Sequence, residues 1–192
     1  MAVDSLLNFL NLPAYEVAAR LLGCLLEYDD GQIRLVGRIV ETEAYNQSDA
    51  ASHSYKGRTP RTDVMFGPAG HLYVYFTYGM HYCCNVVTGR EGEGSAVLIR
   101  ALEPLEGLDI MEGNRRGRAG VELANGPAKL CQAYGIDKTW NGHDLRQPPL
   151  RLQLAEAVPP ENIVVTPRIG ISQAKDKPWR FYIKGNPYVS KA

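Results

Sequence analysis

The sequence predicts an α+β (mixed α/β) fold: a single domain with a largely antiparallel, curved β-sheet, flanking short helices and a protruding β-hairpin. Three observations predict it. The chain has 192 residues, which suits one domain at roughly 150 residues each. Short alternating or wholly apolar runs are joined by tight-turn signals, which favours neighbouring antiparallel strands. The helical stretches are short and punctuated by Pro and Gly. No repeat, low-complexity tract or linker interrupts residues 1–192, so they are read as one domain.

Asn11 and Pro13 open a helix, and Val17, Ala18, Leu21, Leu22 and Leu25 recur on one face that belongs in the core. Asp30-Gly31 is a hairpin signal between strands over 25–28 and 33–43. Residues 46–71 are rich in Ser, Gly, Pro and charge, and so long a loop inside a compact domain is uncommon unless it is functional. Strands over 72–77 and 82–88 flank a turn at 78–81, a second hairpin, and a buried strand follows over 96–101. Short helices over 104–111 and 127–134 each begin with Pro, the favoured first position, and Gly135 stops the second. Late strands fall at 163–165 and 179–184.

Twenty-one basic side chains balance twenty-one acidic ones. A zero total argues against a polybasic coat for nucleic acid but leaves local patches open. Residues 1–55 and 91–112 each sum to −5, whereas residues 113–151 sum to +4 and residues 163–192 to +5. That layout permits one positive face, although scattered surface charge is the plainer reading. Cys24, Cys83, Cys84 and Cys131 form no C-x-x-C pair and no zinc-like spacing, so no metal site is expected. Neighbouring Cys83 and Cys84 point to opposite faces of a strand, which suits buried, reduced thiols. No stretch nears the ~20 apolar residues of a membrane helix. The start around Asp4 lacks a basic region and a cleavage signal, so a soluble, intracellular protein with no membrane partner is expected.

Along the strand ending Ile39-Val40-Glu41-Thr42-Glu43-Ala44-Tyr45, alternation puts Ile39, Glu41, Glu43 and Tyr45 on one face. The bland reading leaves both carboxylates solvated at a fraying strand end, since burying them is costly. The functional reading is a general base in a cleft walled by Tyr45; spacing does not choose between Glu41 and Glu43. His53, in the long loop, is either a surface residue or a hydrogen-bonding contact to a ligand. Lys56, Arg58 and Arg61 form a basic loop suited to phosphates, or an ordinary solvated one. In the aromatic run 73–82, Tyr73 reads as core. Tyr78 and Met80 flank Gly79 at the hairpin tip, where large apolar groups gain nothing structurally. An apolar wedge at such a tip can enter a minor groove and take the place of a base. Asn85 needs a partner if buried. Arg100, closing the run 96–99, can clamp a phosphate or carboxylate, or pair with a nearby acid.

Longer runs carry a resemblance. They are Gly37-Arg38-Ile39-Val40-Glu41-Thr42-Glu43-Ala44-Tyr45, Ala51-Ser52-His53-Ser54, Met65-Phe66, and the stretches 70–80, 97–107, 125–132 and 180–187. In this order, from about residue 15 onward, the chain resembles the alkyladenine (3-methyladenine) DNA glycosylases, which excise alkylated and deaminated purines. The resemblance implies that Glu43 is the base that activates water and that Arg100 lies near that water and the target's backbone. It implies that Tyr45 and Tyr75 sandwich an extruded base, that His53 contacts the base edge, and that Asn85 rejects a 2-amino group. Tyr78 matches the residue inserted into the duplex, with Met80 beside it. Lys129, Lys138, Arg168 and Ser172 match DNA-contacting positions. Asp63 departs by placing an acid in the basic loop, and residues 111–124 match loosely.

The implied activity is that of a monofunctional, monomeric enzyme acting on double-stranded DNA with a damaged purine, without a cofactor. With no Lys in the catalytic motif to form a Schiff base, strand cleavage at the abasic site is not expected. The late basic segments are expected to flank the cleft, with the acids of 91–112 facing away. Two other readings stand beside it: a catalytically inactive nucleic-acid-binding domain on the same scaffold, and a nucleosidase acting on free nucleosides. The ranking of 3-methyladenine, 7-methylguanine, hypoxanthine and etheno-adenine as substrates is not readable from the sequence.

Overall fold

Residues 8–190 are described in the structure, a computed structural model. The N-terminal start around Asp4 lies outside them. The chain enters a helix, α1 (Ala14–Leu21), behind Pro13, and buries Ala14, Val17, Ala18 and Leu21. Leu25 does not continue that face. The chain turns at Gly23, whose φ of 89° suits glycine, and Leu25 opens β1 (Leu25–Asp29). Asp30 then caps the turn, its carboxylate accepting from the backbone N–H groups of Gln32 and Ile33, and β2 (Arg34–Tyr45) returns antiparallel.

The second hairpin forms as expected from β3 (Leu72–Thr77) and β4 (His81–Val87), with His81 already in the strand. The next strand, β5, is longer than its apolar run suggests and spans Ala96–Glu106. Pro104 therefore starts no helix: it faces Gly37 across the sheet beside a register shift, which accommodates its missing donor. The helix α2 (Leu108–Asn114) begins after Gly107, whose φ of 74° ends the strand. Helix α3 (Pro127–Tyr134) has its expected limits, with Gly135 left-handed at its end. Three short strands complete the chain: β6 (Leu150–Gln153), not foreseen behind two prolines, β7 (Ile163–Thr166) and β8 (Arg180–Ile183).

Among the described residues these eight strands form one sheet in the order β3-β4-β5-β2-β1-β6, with β8 joining β2 and β7 beyond it, every pairing antiparallel. One face is packed. Ala44, Val74, Cys84, Val86, Val97 and Ile99 share a core with Val17 and Leu21 of α1, Met111 of α2 and Leu130 of α3. Their neighbours in sequence therefore face the other way, and that second face carries the polar and aromatic residues. The four cysteines are buried and free. No helix among the described residues is long and apolar enough to cross a membrane.

Candidate active site

The site is a row of side chains across the second face. Glu43 of β2 lies opposite Leu98 of β5, Leu98 opposite Asn85 of β4, and Asn85 opposite Tyr73 of β3. One step along the strands come Tyr45, Arg100, Cys83 and Tyr75, on the same face by the two-residue period. Glu43, Tyr45, Tyr75, Asn85 and Arg100 line a cavity of about 460 Å³, closed on its other side by His53 and by the segment 169–173.

Glu41 and Glu43 are both fully buried, which overturns the reading of a solvated strand end. Register shifts between Ile39 and Thr42 break the alternation, sending Ile39 into the core with Ala44 and the two carboxylates to the opposite face. Their partners separate their roles. Glu41 is saturated: its Oε1 accepts from Arg100 Nε at 2.9 Å, Arg180 Nε at 2.6 Å and Ser190 Oγ at 2.9 Å, and its Oε2 from the Ser190 N–H at 2.7 Å. Glu43 faces the cavity. Its Oε1 accepts from the Ile169 N–H at 2.8 Å and lies 3.3 Å from Arg100 Nη1, while its Oε2 accepts from the Tyr45 hydroxyl at 2.8 Å. Burial disfavours the Arg100 charge, but Glu43 and Glu41 outweigh it and raise its pKa.

The aromatic walls are held neutral. Burial, reinforced by Glu43, raises the Tyr45 hydroxyl far above the ordinary phenol value, and burial with the neighbouring Cys83 does the same to Tyr75. Burial pushes the Cys83 thiol up to about 11, so it is not a nucleophile at neutral pH. His53 is exposed, but its ring packs edge-on against Tyr75 at 4.5 Å and its Nδ1 lies 3.0 Å from the Tyr73 hydroxyl. Burial and the charge of Arg61 lower its pKa to about 4. The 3-10 turn His53–Lys56 that carries it is pinned by Ser54 Oγ, which donates to the Gly94 carbonyl at 2.8 Å. A Cβ on Gly94 would stand 2.5 Å from that of Ser54, so only glycine allows the approach. Asn85 is buried and donates to the Tyr73 carbonyl at 3.1 Å.

Tyr78 is 83% exposed and Met80 68% exposed at the hairpin tip. Tyr78 also reaches the cavity rim, as does exposed Ser172. Met80 does not line this cavity. The basic candidates are dispersed. Arg61 lies over the Tyr75 ring at 5.7 Å, Arg58 pairs with Asp63 at 2.5 Å, and Lys56 is exposed. Lys129 is held by Glu122 and Asn125, and Lys138 is exposed on the 3-10 turn Lys138–Trp140. Arg168 needs correcting as a backbone contact, because its side chain is fully buried. It pairs with buried Asp49, donates to the Ala44 carbonyl at 2.9 Å and stacks 4.6 Å over Tyr45, bracing that wall from behind. None of the acids of 91–112 lines the cavity. Sequence reasoning gave no role to Arg180, Ser190 or Asp49. Of these only Arg180, in a strand of otherwise apolar and aromatic residues, carried a signal.

A fully buried carboxylate at the floor of an aromatic cleft, with an exposed Tyr at its mouth, defines a class of site: one with flat walls and a carboxylate acceptor between them. Residues 8–187 match the family model described as methylpurine-DNA glycosylase. Three relatives bear the name "Putative 3-methyladenine DNA glycosylase". That of Carboxydothermus hydrogenoformans is 57% identical over 91% of this chain and 92% of its own. That of Methanoculleus marisnigri is 54% identical over the same shares. That of Burkholderia cenocepacia is 49% identical over 96% of this chain and 89% of its own. The chain belongs to the methylpurine-DNA glycosylase family, and as such it is a DNA glycosylase, an enzyme of DNA repair.

Proposed function

We propose that the protein is a monofunctional glycosylase that extrudes an alkylated or deaminated purine from duplex DNA and hydrolyses its N-glycosidic bond with water activated by Glu43. One observation carries the reading: of two fully buried carboxylates side by side on β2, Glu41 is saturated by arginine and serine, and Glu43 alone opens into the aromatic cavity. Tyr78 enters the space the nucleotide leaves, and Tyr45 and Tyr75 wall the base. Extrusion costs a few kcal/mol, and stacking at ~1–3 kcal/mol per base offsets it.

The sugar then develops positive charge at C1′, which the Glu43 carboxylate favours. A water hands its proton to Glu43 as its oxygen bonds to C1′, and the glycosidic electron pair leaves with the base. A base alkylated on the ring already carries positive charge and departs without a strong acid. Arg100 holds Glu43 in place, and Asn85, beside the Tyr73 carbonyl, polices the purine edge. No lysine lines the cavity among the described residues, which supports release without strand cleavage.

Glu43→Gln is expected to slow base release from methylated duplex DNA by about a hundred- to ten-thousandfold while duplex binding persists. Single-turnover release and a gel-shift titration on the same duplex measure both. Release at the wild-type rate overturns the role of Glu43.

A further inference from the structure

A second cavity, of about 590 Å³, lies on the other side of the hairpin tip. The turn and α3 form the partition. Thr77, Tyr78 and Pro127 line the Glu43 cavity, whereas Met80, His81 and Gln132 line the second. The remaining wall is arginine-rich, with Arg115, Arg116 and Arg118. Arg115 is committed to structure: it donates to the Glu122 carbonyl at 2.9 Å and to Gln132 Oε1 at 2.5 Å, tying the turn to α3. Burial and the charge of Arg118 lower its pKa against the pull of Glu122, so the cations crowd one another. Arg116 and Arg118 are exposed, and among the described residues nothing hydrogen-bonds or pairs with their guanidinium groups. Glu122 is engaged by Lys129 at 2.9 Å. The turn itself is fixed, with Arg116 at φ 55°, Gly117 at φ 79° and the Gly117 N–H bonded to the Glu112 carbonyl at 2.8 Å.

We propose that this cavity is a DNA-backbone site in which Arg116 and Arg118 take a duplex phosphate on the Met80 side of the inserted turn, opposite the extruded nucleotide. The inference rests on the reading of Tyr78 as an insert. A wedge that parts two base pairs is held more firmly when the backbone is gripped on both of its sides, and arginine forks suit phosphate oxygens. Two unpaired guanidinium groups on a rigid turn, beside the wedge and above a cavity, supply that second hold.

Fluorescence anisotropy with an undamaged duplex at several salt concentrations tests it. In Arg116→Gln/Arg118→Gln the slope of log affinity against log salt is expected to flatten by about 0.9, the value for one lost phosphate contact. Arg116→Lys/Arg118→Lys keeps both charges and most of the slope. Arg90→Gln, exposed on the loop after β4, leaves the slope at its wild-type value. An unchanged slope in the double Gln variant, with a wild-type melting temperature, overturns the proposal, as does an equal loss in Arg90→Gln. Base release is not read here, so a failure of the Glu43 chemistry leaves a flattened slope standing.

Discussion

At the scale of single residues, identity mattered less than partners. Glu41 and Glu43 are chemically alike and two positions apart, and only the donors around them assign one to structure and the other to the cavity. Sequence alternation named both and could not choose, because Arg180 and Ser190 arrive from 139 and 149 positions away. His53 makes the same point through protonation. Its pKa of about 4 lies below the ordinary 6.5, because burial and Arg61 both disfavour its charge. The unfolded chain therefore binds the proton first as pH falls. The stability linked to His53 is full above pH ~6.5 and fades as pH drops from there toward ~4. An NMR titration should show the His53 ring neutral down to about pH 5, with its resonance moving only below that. A midpoint near 6.5 would mean that the ring is not held as described.

At the scale of elements, most of the fold was legible and the exceptions have a common cause. Hairpins announced by Asp30-Gly31 and by Tyr78-Gly79, and helix α3 between Pro127 and Gly135, fall where local chemistry puts them. Pro104 misled because a strand tolerates it where the register shifts, and Ile39 misled because a bulge is invisible to a strict two-residue count. The hairpin tip is strained where the proposed insert sits. Tyr78 sits at φ 51° with Gly79 at φ 67°, a tight turn closed by the Met80 N–H on the Thr77 carbonyl at 3.2 Å. The left-handed region costs a residue with a Cβ about 1–2 kcal/mol, while asparagine tolerates it. Tyr78→Asn is thus expected to raise stability by up to about 1 kcal/mol in chemical denaturation. Release from a lesion-bearing duplex should fall by at least about tenfold, as extrusion loses its insert. A variant that is both more stable and fully active on duplexes would show that the strain serves nothing.

At the scale of the whole molecule, the site closes the chain on itself, and that is the part the sequence hid. Composition read the chain as neutral and placed its positive surplus late, and late segments do border the cavity: Pro127 on one side and 169–173 on another. What no local pattern showed is that the far end of the chain reaches the floor. Ser190 gives its N–H and its hydroxyl to Glu41, receives Arg180 Nη2 on its carbonyl at 3.3 Å, and meets Arg100 Nη2 at 3.2 Å. Arg100 in turn lies against Glu43, so the last turn of the chain indirectly positions the carboxylate at the cavity floor. Removing residues 189–192 leaves Glu41 two arginines but strips it of its serine donors. Hydrogen bonds to charged groups are worth about 1.5–3 kcal/mol, so the truncated protein should lose on the order of 3 kcal/mol, and Ser190→Ala about half that. Thermal melting of the three proteins measures the loss. Single-turnover release separates a purely structural tail from one that sets the site, because a tail that positions Arg100 lowers the release rate at temperatures where the truncated chain is still fully folded. An unchanged rate under those conditions, with only the melting temperature reduced, would confine Ser190 to holding the fold and leave Arg100 to be oriented by Glu41 and Glu43 alone.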